Sequence, residues 1–189
     1  MTDLKDLVRA VSELRSRNKE FLVATVVRTS DPARKPGARI LLSEDRWIAG
    51  AVSGDLDGLD RRERSLWLVP ENAPALVEHD ATLGDDDLSF ALGVGETGSF
   101  EMLVEHIGPL TALDPIVFIE RCLQAQLRGA MATVCRTRSQ NVQVGSRLCL
   151  TSDGVVESTG LPSALTGRLE EACRHAIETG SAVRRCGRW

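Results

Sequence analysis

Hydrophobic and polar positions along the 189-residue chain follow helix-like and strand-like periods in turn. Near the amino terminus, apolar residues recur every three or four positions, which predicts an amphipathic helix that packs one face on the core. Those positions are Leu4, Leu7, Val8, Val11 and Leu14. The run FLVATVV, residues 21–27, is rich in β-branched residues and predicts a strand.

One strand pattern occurs twice in the chain. ATVVRT, residues 24–29, returns as ATVCRT, residues 132–137, and the same spacing aligns Gly37 with Gly145 and Arg39 with Arg147. Each copy predicts a strand, a polar loop, a second strand, a tight turn and a third strand, followed by a helix. The sequence therefore predicts two related β-β-β-α units, about residues 21–64 and 130–180. We expect them to pack about a pseudo-two-fold axis on one mixed sheet.

The segments around the second unit complete the predicted layout. Residues 65–70, SLWLVP, and 100–108, FEMLVEHIG, predict strands, and residues 71–87 between them predict a loop-rich connection. The next helix begins after the cap Asp114 with Pro115 in its first position, and the last helix runs from Pro162 to a stop at Gly180. We predict an α+β fold, a mixed β-sheet with flanking helices, in a single domain over residues 1–189. Two compact lobes are the alternative.

Composition narrows the classes of function. The formal net charge of -4 argues against non-specific binding to nucleic acid or to an acidic membrane. No apolar run approaches the ~20 residues that a bilayer span requires, and the charged amino-terminal helix does not resemble a signal peptide. We therefore expect a cytoplasmic protein that binds neither nucleic acid nor membrane.

Cysteine and histidine usage excludes two kinds of site. The five cysteines form no C-x-x-C pair, so neither a structural zinc site nor a disulfide framework is expected. None of the three histidines has a nucleophile partner or an orienting acid in the sequence, so we do not expect an enzyme.

A basic loop between two predicted strands is the first candidate for binding chemistry. Residues 28–39 gather Arg28, Arg34 and Lys35 beside Pro36 and Gly37. Guanidinium groups bind phosphate in a bidentate manner, so this loop is a candidate phosphate site. The alternative is an ordinary solvated hairpin loop.

Two glycine-containing segments are further candidates. In GAVSGDLDG, residues 50–58, the backbone amides near Ser53 and Gly54 form a possible anion site, although Asp55 would repel a phosphate and is equally suited to cap a helix. In ALGVGETGS, residues 91–99, Gly93 and Gly95 precede a strand and do not open a helix. A dinucleotide-binding fingerprint is therefore not expected.

These segments together resemble a known family. Residues 21–54, FLVATVVRTSDPARKPGARILLSEDRWIAGAVSG, resemble the amino-terminal region of XdhC/CoxI proteins, which runs TVV-R-T-x-GSAPRRPGA-x-M-LV and continues into G-x-VSGGC-x-E. DDDLSFALGVGETGSFEMLVEHI, residues 85–107, is similar to the family's GLGCGG-x-IEVLLEPL segment, and the second ATVCRT unit is similar to its middle repeat. Full-length members also carry a carboxy-terminal Rossmann-type domain, which we do not expect in this chain.

The resemblance implies a role in the maturation of molybdenum hydroxylases. Family members bind molybdenum cofactor (molybdopterin), protect it during sulfuration and deliver it to an apoenzyme of the xanthine- or carbon-monoxide-dehydrogenase type. A cysteine desulfurase and a second copy of the chain are further partners that we expect. The cofactor-binding residues implied, together with the basic loop, are Arg28, Arg34, Lys35, Pro36, Gly37, Ser53, Gly54, Asp55, Gly93, Gly95 and Glu96.

This sequence departs from the family motifs at both of their cysteines. Val94 replaces the cysteine of GLGCGG, and the cysteine of SGGC is absent, either replaced by Leu56 or lost with a deleted residue. Molybdenum is thiophilic, so a thiolate would be its natural ligand in transit. Two hypotheses follow: a divergent molybdenum-cofactor chaperone, or a degenerate interaction module that has lost the cofactor and acts through protein partners.

Overall fold

The computed structural model describes residues 4–30, 36–43, 47–50, 73–80, 99–108 and 111–181. The chain divides into two compact units, unit 1 (residues 1–107) and unit 2 (residues 108–189). The described part contains three helices and two antiparallel sheets, so the predicted α+β class is confirmed. The assignment of residues 1–189 to a single domain stays a prediction.

Unit 1 begins with the predicted amphipathic helix, α1 (Leu4–Ser16). Its buried residues are Leu7, Ala10, Val11 and Leu14, whereas Leu4 is 46% exposed. The period of three and four therefore places one helical face in the core, as the apolar pattern predicts.

A five-stranded antiparallel sheet forms the rest of the described part of unit 1. Its order is β3-β2-β1-β5-β4. The strands are β1 (Phe21–Thr29), β2 (Arg39–Ser43), β3 (Trp47–Gly50), β4 (Ala75–Asp80) and β5 (Ser99–His106). Strand β1 is central, and four consecutive residues, Phe21 to Ala24, are buried on its two faces. A strand that is covered on both faces loses the apolar-polar alternation of a half-exposed strand.

Unit 2 is a three-stranded antiparallel sheet with a helix packed on each face. The elements are α2 (Pro115–Gln124), β6 (Gly129–Thr133), β7 (Arg147–Thr151), β8 (Val156–Thr159) and α3 (Ser163–Thr179), with strand order β6-β7-β8. On one face, Leu148 and Leu150 cluster with Cys173 of α3. On the other, Cys149 clusters with Phe118 and Cys122 of α2. Side chains alternate between faces along a strand, so β7 supplies both clusters.

Capping residues fix the helix ends of unit 2 where the sequence predicts them. The Asp114 carboxylate accepts hydrogen bonds from the backbone N–H groups of Ile116 (2.8 Å) and Val117 (3.2 Å), and Pro115 follows as the first helical residue. These bonds satisfy donors that the first turn of a helix otherwise leaves open. At the end of α3, Gly180 adopts the left-handed conformation (φ 67°) that glycine tolerates best.

Two expectations about the strands are corrected. The expected single mixed sheet is wrong in its arrangement, because every described strand pair is antiparallel and the strands form two separate sheets. Short hairpin connections favour antiparallel neighbours, whereas a parallel pair needs a long crossover. The loop expected over residues 71–87 contains β4, whose second half is polar and which pairs along its whole length with β5. The predicted helix near residues 57–65 and strand 65–70 lie outside the described residues.

Candidate functional site

Three of the eleven predicted cofactor-binding residues lie in the described part of the chain. They are Arg28 at the end of β1, and Pro36 and Gly37 at the end of the basic loop. The other eight lie outside the described residues: Arg34, Lys35, Ser53, Gly54, Asp55, Gly93, Gly95 and Glu96. The structure therefore shows where the basic loop leaves the sheet and where it returns.

Backbone hydrogen bonds close the two ends of the basic loop. The N–H of Val26 donates to the carbonyl of Ala38, and the N–H of Gly37 donates to the carbonyl of Val26, each at 2.8 Å. Gly37 has φ +89°, a conformation that side chains of L-residues rarely adopt, although a Cβ there would meet no atom within 4 Å. Glycine is therefore required at residue 37 by backbone conformation and not by lack of space.

A β-bulge turns Arg28 toward a carboxylate of the neighbouring strand. The register of β1 against β5 shifts between Val26 and Arg28, which places Arg28 opposite Glu101. Arg28 Nη1 lies 3.5 Å from Glu101 Oε1, and the Arg28 side chain is 65% exposed. An ion pair at this distance and exposure is weak. An anion at Arg28 would therefore compete with a carboxylate that is already present.

A second carboxylate lies in the same row of the sheet. Glu101 of β5 is in register with Glu78 of β4 as well as with Arg28 of β1. Residues directly opposite each other on antiparallel strands are close neighbours, so this row carries two acids and one base. Sequence reasoning did not assign either glutamate to the site. The alternation of FEMLVEH signals a strand, but only the three-dimensional pairing reveals which side chains face Arg28.

Unit 2 repeats the backbone arrangement that closes the basic loop. The N–H of Val134 donates to the carbonyl of Ser146, and the N–H of Gly145 donates to the carbonyl of Val134, each at 2.8 Å. Gly145 has φ +87°, close to the +89° of Gly37. The residues that form these bonds are the ones that the alignment of ATVVRT with ATVCRT pairs, Val26 with Val134 and Gly37 with Gly145. Residues 134–146, which we call the unit 2 loop, therefore occupy the position that the basic loop occupies in unit 1.

In each unit, an arginine two residues after the loop glycine donates a hydrogen bond to the carbonyl of that glycine. Arg39 Nη1 donates to the carbonyl of Gly37 at 3.4 Å, and Arg147 Nε donates to the carbonyl of Gly145 at 3.0 Å. Arg147 is only 2% exposed, and its Nη1 also donates to the carbonyl of Leu113 at 3.4 Å. A buried guanidinium needs such acceptors, so Arg147 serves the fold of unit 2 and is not available to a ligand.

The three buried cysteines of the described residues are not activated nucleophiles. Burial raises the pKa of Cys149 to about 12 and that of Cys173 to about 11, and it also raises the pKa of Cys122. The thiolate is the reactive and metal-binding form of cysteine, so these buried thiols are inert at neutral pH. They act as small apolar side chains, which is what their apolar sequence surroundings indicate.

The described residues contain neither a metal-binding cluster nor a helix suited to cross a membrane. Within the ranges that the structure describes, no group of three or more His, Cys, Asp or Glu side chains is arranged to hold a metal ion. Among the described helices, none combines the length and apolar character that a bilayer crossing requires.

The family resemblance is confirmed for part of the chain. The model of the XdhC and CoxI family matches residues 14–80, which contain β1, the basic loop, β2 and β3 and extend to β4. This segment is therefore similar to the corresponding part of XdhC and CoxI proteins. No curated protein matches the chain.

A solved structure supports the fold. The crystal structure of a xanthine dehydrogenase from Bacillus halodurans is similar to this chain with a TM-score of 0.51 and 20% sequence identity. The similarity covers 80% of this chain and 44% of the other, so the chain spans less than half the length of that protein. At this identity the likeness shows a shared fold and does not transfer an activity.

Proposed function

We propose that the protein binds molybdenum cofactor and assists its sulfuration and its insertion into a molybdenum hydroxylase of the xanthine- or carbon-monoxide-dehydrogenase type. The observation that carries this proposal is the family match over residues 14–80, because it includes the complete strand-loop-strand segment. The protein acts on this account as a chaperone and not as an enzyme. Its partners are the apoenzyme, a cysteine desulfurase and a second copy of the chain.

The phosphate of the pterin is the part of the cofactor that the basic loop suits. Two backbone hydrogen bonds and the left-handed Gly37 hold the ends of the loop together. Arg34 and Lys35 belong to that loop, and Arg28 stands exposed at its start. Guanidinium and ammonium groups on a closed loop are suited to bind a phosphate with charge-assisted hydrogen bonds. Arg28 would exchange its weak contact with Glu101 for the phosphate.

The remaining predicted residues would contact the cofactor through their backbone. Backbone amides would bind the anionic groups of the cofactor at Ser53, Gly54, Gly93 and Gly95. Asp55 would lie at the edge of this site. Glu96 occupies a position where the family motif has glycine.

The residues present do not provide a thiolate for the metal in unit 1. All five cysteines of the chain lie at residue 122 or beyond, and the three that are buried among the described residues have raised pKa values. Unit 1 therefore fits the phosphate of the cofactor and offers molybdenum no soft ligand. The cofactor would supply the redox chemistry only after transfer to the hydroxylase, so this chain needs to hold and release it.

Substitution of the loop cations tests the proposal. Arg34→Ala and Lys35→Ala should each weaken retention of the cofactor about tenfold or more, because each removes a charge-assisted contact. Arg17→Ala is the matched control, since Arg17 is an exposed arginine in the turn after α1. Retention is measured anaerobically as molybdenum content after gel filtration. Equal retention by all three variants and the parent protein would refute the assignment of the loop.

An interaction module without cofactor is the second candidate function. Two observations favour it: unit 1 has no cysteine, and Arg28 is already paired with Glu101. On this account the chain binds the apoenzyme or the desulfurase directly. Capture of a purified apo-hydroxylase by the cofactor-free protein, unchanged in Arg34→Ala and Lys35→Ala, would support the module and exclude the loop from the interface.

A further inference from the structure

We propose that the unit 2 loop, residues 134–146, is a second anion site that binds the phosphate group of a small ligand. The inference goes beyond the proposed function, because it concerns residues outside the family match and does not depend on what unit 1 binds. It rests on the charge of the loop, on the way the loop is anchored and on the hydrogen-bond donors that it exposes.

The charge of the unit 2 loop is wholly positive. Residues 134–146 contain Arg136 and Arg138 and neither aspartate nor glutamate, in a chain whose formal net charge is -4. Both arginines are exposed. By contrast, the basic loop of unit 1 contains Asp31. Within the unit 2 loop, therefore, no acidic residue opposes the attraction of the arginines for an anion.

The loop is anchored at both ends and in the middle. The bonds of Val134 with Ser146 and Gly145 close its ends at 2.8 Å, and Val142 is buried, with 9% exposure. An anchored loop loses less conformational entropy when it binds a ligand than a freely moving one does. The anchoring therefore favours binding by the arginines that it carries.

Two hydroxyl groups in the loop have protons left to donate. Thr137 Oγ1 accepts the N–H of Ser139 at 3.0 Å, and Ser139 Oγ accepts the N–H of Asn141 at 3.2 Å. Each hydroxyl acts only as an acceptor in these bonds, so its own O–H can donate to a phosphate oxygen. Arg138 makes no hydrogen bond or ion pair with any other residue that the structure describes. Its guanidinium supplies the fork that phosphate accepts in a bidentate manner.

Nuclear magnetic resonance of the full chain tests the site, with inorganic pyrophosphate as the probe. We expect saturable shifts of the backbone amides of residues 134–146, which sodium chloride at matched ionic strength does not reproduce. Arg138→Ala should weaken binding about tenfold or more, because it removes a bidentate charged contact. Arg138→Lys should retain part of the affinity. Arg17→Ala, which changes the net charge equally, should bind as the parent protein does.

Three outcomes would overturn the proposal. They are no saturable shifts in residues 134–146 at millimolar pyrophosphate, equal shifts with sodium chloride at matched ionic strength, or equal weakening by Arg17→Ala and Arg138→Ala. The test is separable from that of the proposed function. Arg34→Ala and Lys35→Ala should leave the shifts of the unit 2 loop unchanged, and Arg138→Ala should leave the phosphate contact of unit 1 intact. An unchanged melting temperature of Arg138→Ala shows that the exposed substitution has not unfolded unit 2.

Discussion

Substitution of Gly129 by alanine tests the packing of helix α2 on the sheet of unit 2. A Cβ at residue 129 would lie 2.7 Å from Cys122 Sγ and 2.8 Å from Phe118 Cζ, both well inside ordinary van der Waals contact. Phe118 and Cys122 are 6% and 8% exposed and pack in one buried cluster with Cys149, so a shift of either side chain disturbs that packing. Overpacking of this kind costs about 1–3 kcal/mol in a close-packed core.

The measurement is urea denaturation followed by circular dichroism. Because alanine also restricts the unfolded chain relative to glycine by about 0.5–1 kcal/mol, we expect a net loss of about 1–2 kcal/mol in the free energy of unfolding for Gly129→Ala. Gly167→Ala is the matched control: it lies inside α3, and a Cβ there would meet no atom within 4 Å. That variant should gain about 0.5–1 kcal/mol.

A double-mutant cycle isolates the proposed clash. Cys122→Ala alone should destabilise unit 2, because it removes a buried sulfur, but in the Gly129→Ala background it should cost less or even restore stability. A Gly129→Ala protein as stable as the parent would refute the packing argument. So would strictly additive effects of the two substitutions, because the contact between them would then carry no energy.

Three further predictions concern unit 2. Asp114→Ala should lower the free energy of unfolding by about 1 kcal/mol through loss of the α2 cap, whereas Asp114→Asn should keep most of it; equal melting temperatures would contradict this. The hydrogen bond from Arg121 lowers the pKa of Glu157 below its ordinary value of 4.5. The pair is partly exposed and contributes at most about 1 kcal/mol of stability, which is present above pH 4.5 and is lost as the pH falls. Glu157→Gln should therefore be less stable than the parent protein at pH 7 and equally stable in strong acid. Burial raises the pKa values of Cys149 and Cys173 to about 12 and about 11, so neither thiol should be alkylated at pH 8 before unfolding, as read by mass spectrometry.

Local signals in the sequence predict the helix ends and the loop anchors. The sequence predicts Asp114 and Gly180 as caps because the chemistry of a cap depends on a few adjacent residues. The aligned glycines, Gly37 and Gly145, occupy the left-handed region in both units. These features depend on backbone geometry within one loop or turn, which the residue type largely determines.

Features that depend on distant pairing were not predicted. Strand β4 is short, is polar in its second half and is stabilised by pairing with β5. Glu101 faces Arg28 because a bulge shifts the register of β1 against β5. Arg147 looks like a surface residue in the sequence but is buried against backbone carbonyls that are supplied partly by Leu113. Contacts between side chains on different strands or on remote segments do not produce a repeating pattern in the sequence of either segment, so the sequence alone does not reveal them.

Anaerobic titration of the purified protein with molybdenum cofactor tests the proposed function most directly. Absorbance follows the titration, and molybdenum content is measured after gel filtration. The chaperone account predicts retention of about one cofactor per chain, bound through the phosphate by the basic loop without a cysteine in unit 1. A folded protein that retains no cofactor would contradict that account and leave the interaction module as the function to pursue.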